Sequence, residues 1–218
     1  VARELELKYS SLEGRVPEGP ELEAVFKGLG LHVGPGTARR QSDVYFDSPD
    51  LALERARLAL RIRTTTGGKV AAVKGRGDAA AGLFEREELE VALAPALPGG
   101  APAWPAPITA RLAGIVDLAA LVPRLEIVTL REVFLLSRGG QPLAELAFDE
   151  VSCRPPSAGA TDALIDEALF SEVEVEAVGG TSGDELRQVG AALAEFMPLV
   201  AGSVSKLERA SALLAPFL

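Results

Sequence analysis

Charge alternates with aliphatic residues in one extended segment after another, from Glu4-Leu-Glu6-Leu-Lys8 at the start to Glu172-Val-Glu174-Val-Glu176 near the end. Strand side chains alternate faces, so each segment puts aliphatics on one side of a sheet and a row of charges on the other. The segments between them follow the same rule. Arg61 and Arg63 alternate with Leu60 and Ile62, Lys74 closes the next strand, and Arg86, Glu88 and Glu90 share one face. Arg131, Glu145 and Asp149 fall in two later strands. A single such segment is routinely an antiparallel strand with one wet face. Recurrence, with charges grouped by sign, is harder to place on an outer surface. Like charges about 7 Å apart cost ~2 kcal/mol per pair at an effective dielectric of about 20, and stable surfaces intersperse signs instead. The pattern predicts an enclosed, charged bore.

The remaining pattern supplies the other elements. Residues 18–29 carry Leu22, Val25, Phe26 and Leu29 at helical spacing, with Gly28 and Gly30 as a stop. Residues 41–47 read as a strand entering the Asp47-Ser-Pro49-Asp50 turn, and Gly67-Gly68 reads as a hairpin turn between strands 58–66 and 69–75. A strand over 84–94 is followed by a Pro/Gly/Ala loop around Trp104 and a helix over 107–122. Strands 125–137 and 142–153 flank Gly139-Gly140. A Pro/Ser/Gly/Ala loop over 154–163, a strand over 170–178 and helices over 184–197 and 205–215 complete the chain. About eight mostly antiparallel strands with helices outside predict an α+β fold: a closed eight-stranded antiparallel barrel, or tunnel, with room for side chains or one small ligand. Residues 1–218 are taken as a single domain.

Composition narrows the function. The net charge of −9 argues against free nucleic acid and anionic membrane surfaces as partners. Residues 1–90 hold 14 Lys/Arg against 15 Asp/Glu, whereas 91–218 hold 8 against 16, so the cationic work lies in the first half. Cys153 and His32 each occur alone, which leaves a zinc cluster or a Ser-His-Asp triad without support; a buried thiol and a surface histidine are expected. No apolar run of 18 residues and no basic-then-apolar leader is present, so a cytoplasmic location is expected.

The chemistry follows from the residue types. Carboxylates are the ligands that Mg²⁺ prefers and Mn²⁺ accepts, and a divalent ion would relieve a ladder of glutamates. Arginine offers phosphate oxygens a planar fork and lysine a mobile point charge. Transfer of a phosphoryl group needs mainly positioning and stabilisation of spread negative charge.

These motifs resemble the CYTH superfamily, the triphosphate tunnel metalloenzymes, over nearly the whole chain. The resemblance rests on Glu4-Leu-Glu6-Leu-Lys8, Val44-Tyr-Phe-Asp-Ser-Pro-Asp50, Leu60-Arg-Ile-Arg63, Val73-Lys-Gly75, Glu172-Val-Glu-Val-Glu176 and Ser205-Lys206 in that order. Within the superfamily the chain looks most like the bacterial inorganic triphosphatases. That implies hydrolysis of inorganic tripolyphosphate or a related polyphosphate with Mg²⁺ or Mn²⁺. By the same resemblance Glu4, Glu6, Glu174 and Glu176 look like metal ligands, supplemented by Glu172 and Asp149. Lys8, Arg61, Arg63, Lys74, Arg86, Arg131 and Lys206 look like phosphate contacts, and Glu88 and Glu90 would orient water or a second metal. Catalysis is thus expected from Glu4, Glu6, Lys8, Glu88 and Glu90. Members of this subgroup often continue into a histidine-rich helical CHAD domain, which makes residues 1–218 either a free-standing domain or the first part of a longer protein.

Two other readings stay open at this level. One is a thiamine triphosphatase or adenylate cyclase of the same superfamily; the small stock of 11 aromatic residues favours a bare phosphate chain over an organic group that needs a flat platform. The other is a noncatalytic polyphosphate-binding module.

Overall fold

Every alternating segment is a strand. The computed structural model describes residues 2–75, 77–80, 82–94, 103–155 and 168–215. In chain order these form β1 (Ala2–Ser11), α1 (Gly19–Phe26), β2 (His32–Val33), β3 (Thr37–Asp47), α2 (Ala52–Arg55), β4 (Leu58–Thr65), β5 (Gly68–Gly75), β6 (Asp78–Ala80) and β7 (Leu83–Ala92). There follow α3 (Ala106–Leu112), β8 (Val122–Arg138), β9 (Gln141–Arg154), β10 (Ala168–Ala177), α4 (Gly183–Phe196), β11 (Leu199–Ala201) and α5 (Lys206–Leu214). Of the two small-residue loops expected, around Trp104 and over 154–163, residues 95–102 and 156–163 lie outside the described residues.

Eight strands close on themselves in the order β1-β10-β9-β8-β3-β4-β5-β7, because β1 pairs with β10 on one side and β7 on the other. All of these pairings are antiparallel. Closure removes the open edges that a sheet of this size would otherwise expose. The short β2, β6 and β11 attach to β8, β7 and β1. The β8–β9 turn uses Gly139 and Gly140, both with positive φ (56° and 80°), as a tight two-residue hairpin requires. At the β4–β5 hairpin Thr65 faces Gly68, so the turn residues are Thr66 and Gly67, one position earlier than expected.

Alternation sorts three apolar clusters. Outside one wall, Leu7, Leu146, Phe148, Val173 and Val175 are roofed by Leu22 and Phe26 of α1 and Leu186, Val189 and Leu193 of α4. Gly190 lets α4 approach β1 closely, since a Cβ there would collide with Tyr9. Outside the opposite wall, Leu58, Leu60, Ala71 and Val73 pack under α2 and α3 through Leu53, Ile108 and Leu112. The third cluster lies inside the bore. Tyr45, Leu125, Ile127, Val151, Cys153 and Phe170 share the inward parity of Asp43 and Arg131, and Ala210 and Leu214 of α5 pack against them. Helices on the outside therefore describes α1 to α4, whereas α5 covers one end of the barrel.

The helix expected over 107–122 is shorter. It ends at Leu112, Gly114 adopts φ 76°, and residues 118–120 form a single 3-10 turn capped by Asp117 before β8 begins. Cys153 is buried, and His32 is exposed beside Glu23, as their solitary occurrence suggested.

Candidate functional site

The inward faces of the strands line a cavity of about 1140 Å³. Register explains which side chains meet there. Glu174 of β10 faces Lys8 of β1, Glu176 faces Glu6, Glu4 faces Arg86 of β7, and Lys74 of β5 faces Glu88. Arg63 of β4 faces Asp43 of β3, and Arg131 of β8 faces Asp149 of β9. All seven expected phosphate contacts, Lys8, Arg61, Arg63, Lys74, Arg86, Arg131 and Lys206, line this one cavity. So do Glu4, Glu6, Glu88, Glu90, Glu174 and Glu176.

The signs are interleaved rather than segregated. Lys8 Nζ lies 2.9 Å from Glu174 and 3.3 Å from Glu6, and Arg86 reaches Glu6 at 2.5 Å and Glu4 at 2.9 Å. Lys74 lies 2.9 Å from Glu4 and 3.0 Å from Glu88, while Arg61 spans Asp43, Glu88 and Glu90 at 3.4–3.7 Å. Arg131 makes a two-bond fork on Asp149 at 2.7 and 2.6 Å and also pairs with Glu174. Lys206, the first residue of α5, reaches Asp149 at 2.6 Å and Glu174 at 2.9 Å. The attraction that the glutamate ladder lacks is thus supplied by the chain's own lysines and arginines from neighbouring strands.

This interleaving sets the acid strengths. Burial disfavours ionisation of Glu4, but Lys74 and then Arg86 outweigh it and hold the carboxyl well below the usual range. Glu174 is likewise buried, yet Lys206, Lys8 and Arg131 hold it well below that range. Burial pushes Glu88 up in spite of Lys74. Lys74 itself is lowered, first by burial and then by Arg61. Glu176 stands apart: burial, then the neighbouring Glu4 and Glu6, push it up to about 7. No ion pair holds it among the described residues.

Asp149 and Glu172 do not line the cavity. The Asp149 side chain is fully enclosed, with its oxygens taken by Arg131 and Lys206. Glu172 lies against Lys206 at 3.5 Å and Arg209 at 3.6 Å. Sequence reasoning passed over several contributors, among them Asp43, Gln41 and Arg209. Asp43 forks Arg63 at 2.8 and 3.0 Å, Gln41 lines the cavity, and Arg209 donates to Ser10 while lying 4.2 Å above the Phe170 ring. For Asp43 and Gln41 the signal was present: both share parity with Tyr45 in a segment already read as a strand.

Glu4, Glu6 and Glu176 offer a metal only oxygen donors, which suits a hard divalent cation. Glu176, which makes no ion pair among the described residues and is raised by burial and then by Glu4 and Glu6 more than Lys74 lowers it, marks a place where added positive charge is favoured. Among the described residues no three His, Cys, Asp or Glu side chains converge into a cage, since Lys74, Lys8 and Arg86 occupy Glu4 and Glu6. The donor chemistry fits a divalent ion once those pairs exchange.

The model of the CYTH domain matches residues 2–211. Solved structures share the architecture. HpAC1 from Hippeastrum, an adenylyl cyclase candidate reported to have a dominant triphosphatase activity, superposes with a TM-score of 0.63 at 19% identity over 96% of this chain and 95% of its own. An adenylate cyclase candidate from Bacillus halodurans gives 0.54 at 18% over 96% and 98%, and PH1819 from Pyrococcus horikoshii gives 0.51 at 18% over 94% and 96%. No curated protein matches the chain. At such identities the structural likeness establishes the fold, and the match over residues 2–211 establishes the rest: the chain belongs to the CYTH family.

Proposed function

We propose that residues 1–218 act as one catalytic domain that hydrolyses inorganic tripolyphosphate with Mg²⁺ or Mn²⁺. The observation that carries this reading is the convergence of all seven expected phosphate contacts, from six elements, and of six of the expected carboxylates on one cavity. A bore of this kind is built for a compact, highly charged anion. The triphosphatase activity of HpAC1 makes triphosphates the first class to test.

Substrate entry exchanges partners. Phosphoryl oxygens replace carboxylates around Lys8, Lys74, Arg86 and Arg131, which frees Glu4 and Glu6; with Glu176 they are the residues that would hold a divalent ion. Bound there, such an ion would supply charge neutralisation and a lower pKa for water. Arg61 and Arg63, braced by Asp43, and Arg131 and Lys206, braced by Asp149, then fix the phosphate chain. In this account Asp149 positions the cations behind it rather than ligating metal. Hydrolysis forms a bond from the water oxygen to the terminal phosphorus and breaks the bridging P–O bond to diphosphate. Glu88, with Glu90, orients the water and accepts its proton.

One observation favours a second reading. Because Glu4 and Glu6 are already matched by cations, the barrel could bind polyphosphate without cleaving it. Tripolyphosphate, ATP, thiamine triphosphate and long-chain polyphosphate, each with Mg²⁺ and with Mn²⁺, separate the possibilities. The proposal expects phosphate release from tripolyphosphate above the organic triphosphates. Binding without release under both metals would establish the binding module instead.

A further inference from the structure

Gln41 sits on the inward face of β3 at 6% exposure, two residues from Arg39 and two from Asp43, and lines the cavity. Among the described residues its Nε2 has no hydrogen-bond partner. Across the ladder it faces Thr129 of β8, whose enclosed Oγ1 is also without one. Of its charged neighbours, Asp43 is engaged by Arg63 and Arg131 by Asp149. A buried amide with an unused donor weakens a fold, and buried polar groups are rarely left that way. A methionine of equal length would fill the position without that cost, so the amide points to a use that the folded chain alone does not supply.

We infer that Gln41 Nε2 donates to a phosphoryl oxygen of the substrate and helps set specificity for the phosphate chain, an inference that rests on the triphosphate reading above. Its neutrality is the point. Each of the seven cations is already engaged with a carboxylate and must share or exchange that partner to meet an anion. Gln41 lines the cavity and its enclosed Nε2 has no protein partner to give up, so once a turn of the side chain presents it, the amide orients the chain without an exchange and without adding charge. The competing occupant is an ordered water bridging Gln41 and Thr129.

Calorimetric titration with tripolyphosphate, in chelator and again with Ca²⁺, decides between them alongside thermal melts of the ligand-free protein. For Gln41→Met we expect an unchanged or higher melting temperature and a roughly ten- to hundredfold weaker tripolyphosphate Kd, the scale of one hydrogen bond to a charged group. Gln41→Ala should show the same loss of affinity. Thr129→Val, which does not reach the cavity, should leave Kd within about twofold, inside the scatter expected without a lost contact. Lower melting temperatures for both the Gln41 and Thr129 variants with unchanged Kd would assign the amide to the water and overturn the inference, as would collapse of both Gln41 variants. Failure of the wild-type chain to take up tripolyphosphate under either condition would instead overturn the triphosphate reading and the inference with it.

Discussion

Glu4 and Glu176 occupy one bore with opposite acid strengths, and their opposite linkage to folding is measurable. Glu4 is held below the ordinary carboxylate range, so its contribution to stability is complete above that range and lost as pH falls through the depressed value. Glu176 is raised to about 7. Between its ordinary value and 7 the folded chain keeps a proton that the unfolded chain has released, so stability falls as pH rises through that window. In chelator, Glu176→Gln should therefore lose less melting temperature than wild type between about pH 5 and about pH 8. Parallel melting curves for the two proteins would refute this assignment of Glu176. At this scale the charged residues were legible because alternation with Leu, Ile and Val marks them. Gln41 and Asp43 were not singled out, since Gln41-Ser-Asp43-Val-Tyr45 mixes polar and apolar side chains on both faces, and the need for a partner to Arg63 appears only when the β3–β4 register is known.

Helix α5 joins stability to chemistry at the scale of an element. Its capping box pairs Ser205 and Glu208, and the first residue after the cap is Lys206. Fraying this end would move Lys206 away from Asp149 and Glu174 and loosen Arg209 from Ser10. Ser205→Ala should cost about 1 kcal/mol of stability and also raise the KM for tripolyphosphate; a stability loss with unaltered KM would show that the cap does not serve the site. Ile108→Ala provides the contrast. Ile108, on the inner face of α3, is fully enclosed against the outer wall and takes no part in lining the lumen, so a loss of about 2–5 kcal/mol should leave kcat unchanged below the melting range. A kcat that falls at temperatures where the variant is folded would contradict the separation of wall and bore. The position of α5 could not be read from sequence. Ile127, Val151 and Phe170 face inward yet look no different from the apolar residues packed outside elsewhere, because alternation marks one apolar face of a strand without saying on which side of the barrel it lies. The overlong helix at 107–122 has a related cause: its apolar residues continue past Gly114 into a 3-10 turn and the start of β8, where spacing alone cannot mark the boundary.

For the whole molecule, closure is what turns a surface pattern into a site. Alternation fixed which side chains share a face, while the β1–β7 pairing that joins first and seventh strands brings Glu4 to Arg86 and Lys74. The barrel was therefore foreseeable from the strands, but the interleaving of signs depends on stagger between distant strands. An enclosed network of this kind also predicts a salt response. Tripolyphosphate binding should weaken as ionic strength rises, though less steeply than for exposed charges, because the buried pairs are poorly screened; an affinity independent of salt would contradict electrostatic capture. The central claim, that this bore is catalytic, is tested most directly by Glu4→Gln. With Mg²⁺ or Mn²⁺ the wild-type protein should release phosphate from tripolyphosphate, and chelator should stop it. The variant should lose at least about a hundredfold in kcat, the scale of one removed electrostatic contributor, while still binding tripolyphosphate. Phosphate release that survives the substitution, or a wild-type protein that binds the anion and never cleaves it under either metal, would contradict the account.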